Sequence, residues 1–417
     1  MTERADRHQV RGAPLDARAM RQANLGLVLG EVVRRPPISQ PDLVEATGLK
    51  KATVSRLLDE LVRLGWVRTS GAAAGAVGRP RTLFAPDPAR GLVVGARISL
   101  DALSVLAVDF GGTGHRRGAH PMDVAATPQR DVAEALRRLL ESTLSTTTAP
   151  VLGAALALSG IVDAGRLGFA PGLEWPDPDA TAMFGSTLGP RLADGAPLVV
   201  ENEARLTAVG EQRYGAAAGV DDFVYLLGAT GVGAGVVVDG RLLRGSRGAA
   251  GEVGHVSIAM AGERCSCGKT GCWATYLGEA ELVRLVELAR MDGETSSLWT
   301  GRPGAAGAAP DPAEVLAAAR GGDAVALRAL RLMRRALAAG IGNLVSAYDP
   351  ELVVLGGFLS AAFGGDLEPL RAEVDDWVMG GGVHTELQLT ASGLADASLL
   401  GGIALVHDRV VQAPRLS

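Results

Sequence analysis

Three cysteines stand within eight residues, Cys265-x-Cys267-Gly268-x-x-Gly271-Cys272, and the 417-residue chain has no others. Glycines between them let the backbone fold back on one point, and His255 precedes the first cysteine by ten residues. Three thiolates and one imidazole make a closed tetrahedral donor set, the structural kind of zinc site with no position left for water. A secreted disulfide scaffold would use an even number of cysteines, more widely spread. The pattern therefore implies a reducing, cytoplasmic setting and one structural Zn2+ on His255, Cys265, Cys267 and Cys272.

The length allows two or three compact domains. With 47% hydrophobic and 21% charged residues the composition is globular. No apolar run reaches the ~18–20 residues of a membrane span, and Ser159 and Gly160 break the longest, near 154–162. The polar N-terminus lacks the apolar core of a signal peptide. Residues 1–90 carry 15 Arg and Lys against 9 Asp and Glu, whereas the rest carries 26 against 37. A basic head on an acidic body points the head toward a polyanion.

Within residues 14–88 the apolar spacing predicts three helices. The first covers about 16–33, with Leu25, Val28, Leu29 and Val32 inward, and Pro36-Pro37 stops it. Ser39 caps the second, Pro41 sits in its first turn, and Leu43, Val44 and Ala46 face the core. After Gly48 and a short turn, the third runs from about 52 to 64 with Val54, Leu57, Leu58, Leu61 and Val62 buried. Helix, glycine turn, helix is the helix-turn-helix arrangement, and the third helix enters the major groove by its N-terminal end. Lys50, Lys51, Thr53, Ser55 and Arg56 there suit phosphates and base edges of duplex DNA. Two wing strands follow, 66–69 and 78–84, whose Arg79 and Arg81 can reach a narrow minor groove.

Residues 90–417 alternate short apolar runs with helices, an α/β pattern. Strands are predicted at 92–98 and 102–108 as a hairpin, and at 151–158, 198–201, 223–227 and 234–238. Helices are predicted at 132–144, 280–289 and 324–346, with a flexible loop over 290–312. Glycine-rich turns after strands in two places suggest two similar lobes around a cleft.

The run Gly251-Glu252-Val253-Gly254-His255, followed by the cysteine signature, resembles the ROK family (repressors, open reading frames and kinases). So do the Gly78-Arg79-Pro80 wing, the glycine run 229–235, Asp349-Pro350 through Gly356-Gly357, and Leu400-Gly401-Gly402, together spanning nearly the whole chain. The resemblance implies a two-lobed actin/hexokinase-like body behind a winged helix, in homodimers or tetramers. It makes 229–235 a second phosphate loop, and places 349–357 and 400–402 at the edge of a nucleotide cleft. By resemblance Gly160, Asn202, Glu203, Glu252 and His255 contact a sugar or sugar derivative, with His255 serving metal and sugar through its two ring nitrogens.

Two departures set this chain apart from the family's kinases. Asp109-Phe110-Gly111-Gly112-Thr113 matches their first phosphate loop as a string, but the Gly114–Gly118 stretch after it cannot make a core strand. Aligned by strands, the loop position is Arg97-Ile98-Ser99-Leu100-Asp101, with an arginine in place of the metal-binding acid and an acidic, side-chain-bearing turn. The catalytic Asp is Glu203, whose extra methylene moves the base by about an ångström. Ala274 and Gly172 replace two polar sugar contacts, costing roughly 1–3 kcal/mol for each buried group left unpaired or making room for a bulkier sugar. A non-enzymatic, sugar-responsive DNA-binding regulator, a repressor by resemblance, is the reading adopted. A DNA-bound kinase requires the Asp109 loop to be genuine, and a ligand-independent regulator would use the body only to oligomerise.

Overall fold

The computed structural model describes residues 17–73, 81–229, 231–299, 309–380 and 387–414. The head comprises α1 (Ala17–Arg34), β1 (Ile38–Ser39), α2 (Gln40–Thr47), α3 (Lys51–Arg63), β2 (Val67–Ala73) and β3 (Arg81–Pro86), its strands ordered β1-β3-β2. Asp42 accepts hydrogen bonds from the Ser39 N–H and hydroxyl, which fixes the start of α2. Gly48 follows α2 at φ 66°, a left-handed stop that glycine adopts without strain. Leu25, Val28, Leu29 and Val32 are fully buried on α1. Ala46 and Val62, expected in this core, are exposed, because α2 and α3 bury only the faces turned toward α1 and leave the stripe margins in solvent.

The first lobe holds β4 (Leu92–Ile98), β5 (Ala102–Asp109), β6 (His115–Pro121), α4 (Gln129–Thr143), β7 (Val151–Leu158), a ribbon of β8 (Val162–Asp163) and β9 (Arg166–Leu167), α5 (Ala180–Leu188), β10 (Leu198–Asn202) and α6 (Glu203–Tyr214). Its main sheet runs β10-β7-β4-β5-β6. The predicted hairpin of β4 and β5 is present. Residues 114–118, expected not to make a core strand, do not make one: 115–118 open β6, an edge strand without buried residues that pairs with β5 along its length. An edge strand needs only one neighbour's hydrogen bonds and no apolar face.

The second lobe holds β11 (Phe223–Gly228), β12 (Val232–Val238), β13 (Arg241–Leu242), α7 (Glu279–Met291), α8 (Pro312–Arg320), α9 (Ala324–Tyr348), β14 (Leu352–Gly357), α10 (Phe358–Phe363), α11 (Glu368–Asp375) and β15 (Gln388–Ala391), with its sheet ordered β13-β12-β11-β14-β15, and the last helix, α12 (Ala397–Gln412), returns to pack on the first lobe's sheet. The loop expected at 290–312 falls partly on 300–308, outside the described residues. Just before it the chain is fastened, since Asp323 accepts from the Ser296 hydroxyl at 2.9 Å and the Ser297 N–H at 2.7 Å.

Two buried contacts tie these parts together. Helices α6 and α12 touch backbone to backbone: a Cβ on Gly401 would stand 1.8 Å from the Leu206 carbonyl oxygen. Leu400-Gly401-Gly402 stands near the start of α12, at this packing site. The far end of α12 meets α1, where Val406, Val410, Phe110 and Val93 share one core with Leu25, Leu29 and Trp66. Trp66 meets Phe110 edge-on at 5.0 Å, and Phe110 stacks on His407 at 5.0 Å. Among the described residues no helix is long and apolar enough to cross a membrane.

Candidate effector cleft, metal cluster and DNA-facing helix

A cleft of about 630 Å³ opens between the lobes and brings together Ser159, Gly160, Asn202, Glu203, Glu252 and His255. The first four lie where β7 and β10 end, because parallel neighbours deliver the loops after them to one edge of the sheet. Asn202 caps α6 by accepting from the Arg205 N–H, and its amide donates to the Gly160 carbonyl at 2.9 Å. Gly160 sits at φ 114° with a Cβ position 2.6 Å from Ala170 Cβ, so only glycine fits that floor. Glu203 opens α6; burial raises its carboxyl pKa above the ordinary value, and the Arg97 cation opposes the rise. Glu252 is likewise raised by burial, against the Arg205 cation. Ala274 and Gly172 line the same cleft, Gly172 against the Leu100 side chain.

The two candidate phosphate loops lie at opposite ends of the first sheet. The 99–101 turn follows β4 at the cleft end, where Leu100 joins the lining. Asp109 pairs with Leu92 at the other end, in a groove shared with α1 and α12. Its carboxylate accepts from the Thr113 N–H at 3.1 Å and the Gly114 N–H at 2.5 Å, so the acid closes its own hairpin turn. Of the glycine run 229–235, Ala229, Gly231, Val232 and Gly233 line the cleft. Thr230 lies outside the described residues, and β12 takes up the run from Val232, its Gly235 pressed on Ala204 and Ala208 of α6.

His255, Cys265, Cys267 and Cys272 place one donor atom each within 4.8 Å of one another. Cys265 Sγ is 3.6 Å from His255 Nδ1, Cys267 Sγ is 3.5 Å from Cys272 Sγ, and all three thiols are free. Tetrahedral zinc–thiolate bonds of about 2.3 Å put sulfurs roughly 3.7 Å apart, so the donor set fits a metal ion. Burial, with the Lys269 cation, holds the His255 imidazole below its ordinary pKa.

On the head, Lys50 is the N-cap of α3 and Lys51 its first residue. Lys50, Lys51 and Arg56 are exposed and Thr53 and Ser55 half-buried on the same end. Arg81 begins β3, exposed, beside Asp42 of α2. Arg79 lies outside the described residues. Sequence reasoning missed Glu201 and Arg205 behind the cleft; their four-residue spacing across the start of a helix was the available signal.

Fold and site define a winged helix joined to a two-lobed, sugar-kinase-like body. The ROK family profile matches residues 106–409 and the MarR family profile residues 26–75. The chain belongs to the ROK family and has the architecture of its transcriptional regulators. It is 28% identical over 405 residues to a xylose repressor of Caldicellulosiruptor bescii, spanning 95% of this chain and 98% of that protein. Among solved structures, a ROK family transcriptional regulator homologous to the E. coli MLC protein aligns with a TM-score of 0.78 at 25% identity, over 94% of this chain and 97% of that one. A Streptomyces griseus ROK glucokinase, solved with glucose and AMPPNP, aligns with a TM-score of 0.65 at 28% identity, over 76% and 99%.

Proposed function

We propose that this protein is a transcriptional repressor whose body binds a sugar or sugar derivative without phosphorylating it. The observation that carries this reading is the continuous packing from cleft to head: α6 begins at the cleft, α12 lies backbone to backbone on α6, and α1 rests on α12. A sugar that closes the lobes moves α6, and the head shares its core with the helix that follows. The shift in DNA affinity equals the sugar's differential affinity for the two arrangements.

In this reading residues 14–88 bind DNA and 90–417 bind the effector. Glu203 and Glu252 accept sugar hydroxyls beside Asn202, over the floor at Gly160. His255 keeps one nitrogen for a structural zinc shared with Cys265, Cys267 and Cys272, so the metal fixes the imidazole that meets the sugar. Lys50, Lys51, Thr53, Ser55 and Arg56 serve the major groove, Arg79 and Arg81 the minor groove. One winged helix offers too few base contacts for useful specificity, so a homodimer reading two half-sites is proposed. The Arg97 cation at Glu203 and the remote Asp109 turn support the absence of phosphoryl transfer.

The test selects DNA sites from a random pool with the purified protein, then titrates each complex with a panel of monosaccharides. One sugar is expected to release or weaken the complex. A panel without effect on DNA affinity, or turnover of ATP on any sugar, overturns the reading.

A further inference from the structure

Glu201 and Arg205 lie behind the cleft wall rather than in it. Arg205 is 1% exposed and Glu201 5% exposed. Arg205 Nη1 donates to Glu201 Oε1 at 2.9 Å, and Nη2 donates to the carbonyls of Gly248 and Ala250, the latter at 3.0 Å. The other Glu201 oxygen accepts from Arg244 Nε at 2.7 Å, and Oε1 also takes the Asn202 N–H at 2.9 Å. Glu201 stands on β10 of the first sheet, whereas Gly248 and Ala250 lie on the segment after β13 of the second. That segment ends in Glu252 and runs on to His255. It also presses on the first lobe, since a Cβ on Gly248 would stand 2.1 Å from the Val162 carbonyl oxygen.

We infer that Arg205 is the positioning residue of the effector cleft, a buried clasp that sets Glu252 of one lobe against Asn202 and Glu203 of the other. The inference rests on the sugar-binding reading above. Two carbonyls and a carboxylate arranged around one guanidinium match its planar fork; a lysine ammonium has the charge but cannot span all three. A buried cation is costly unless its partners are in place, so the clasp holds the segment in a single position.

The experiment uses the full-length, metal-loaded protein and the variants Arg205→Met, Arg205→Lys and Arg244→Ala. Hydrogen–deuterium exchange is followed over 244–256 and over α1, and binding of D-xylose and D-glucose is measured by calorimetry. Arg205→Met is expected to speed exchange over 244–256 while α1 keeps its protection. It should also weaken whichever of the two sugars binds the wild type by about tenfold or more, the scale seen when a supporting contact is lost. Arg205→Lys should restore both only in part, and Arg244→Ala, which takes one partner from Glu201 but leaves the guanidinium's own bonds, should speed exchange less than Arg205→Met does. Wild-type exchange over 244–256 in folded Arg205→Met overturns the inference; if that variant does not fold, the same outcome in Arg205→Lys does so. If neither sugar binds the wild type, the cleft is not a site for those sugars, and the exchange data still decide the role of Arg205.

Discussion

Arg97 and Glu203 face one another at the cleft end of the first sheet, Nη1 standing 3.6 Å from Oε1. They extend from β4 and from the residue after β10, the strands on either side of β7. The Arg97 cation favours the ionised form of this carboxyl. Burial nevertheless outweighs the cation and keeps the Glu203 pKa raised. A carboxyl raised on folding adds stability below its ordinary value near 4.5, and that contribution is lost as pH rises through the folded value. Glu203→Gln should therefore gain in melting temperature relative to wild type as pH rises above 4.5, with the gain absent in more acidic solution. Calorimetric melts across pH check this, and a difference independent of pH would sink it.

Asp109→Ala removes acceptors from an exposed hairpin turn at the end of the sheet away from the cleft. The expected loss is about 1 kcal/mol of stability, the scale of such hydrogen bonds. Sugar affinity should not change, and neither protein should turn over ATP with a hexose. Turnover in wild type that disappears in Asp109→Ala would make the Asp109 turn a working phosphate loop.

Cys267→Ser takes one donor from the cluster beside His255. Elemental analysis should find about one zinc per chain in wild type and little in the variant. The melting temperature should fall by roughly 5 °C or more, because metal binding contributes to folding. Sugar binding should weaken with it, since His255 loses its anchor. Native protein free of metal would refute the assignment.

Lys51→Ala and Arg56→Ala separate two kinds of contact on α3. Lys51, at the helix start, is expected to meet phosphate, so its loss should lower the slope of log affinity against log salt by about one for all sequences. Arg56, one turn on, is expected to reach a base edge, so its loss should cost about 1–3 kcal/mol and relax preference at one position. Anisotropy titrations at several salt concentrations distinguish the two.

Gly26→Val places a Cβ on α1 only 2.6 Å from the Gln412 carbonyl oxygen of α12. The two helices cannot keep their distance, so the head should part from the body's last helix. The variant is expected to bind sugar as wild type does and still bind DNA, while the sugar no longer alters DNA affinity. A normal sugar response from Gly26→Val would show that coupling does not pass through this contact.

Local rules in the sequence determined much of this protein. The apolar period of residues 17–34 made a helix, Gly48 stopped the next one, and the crowding of Cys265, Cys267 and Cys272 after His255 brought four donors together. These depend on neighbours a few residues away, and helix spacing and chain reversal are local properties. The polarity of Gly114–Gly118 also told in sequence that no core strand follows the Asp109 turn. Tertiary packing decided the rest. Residues 115–121 became a strand because β5 offered a free edge, against their own polarity. Gly401 and Gly402 gave no sign in sequence of their helix partner; they let α12 lie backbone to backbone on α6. Nothing near Arg205 in the chain announces Gly248 and Ala250, forty-odd residues on; only closure of the two lobes surrounds that guanidinium with acceptors. The joint between head and body was hidden for the same reason, since Trp66, Phe110 and His407 come from three distant segments and acquire a common core only when α1 meets α12.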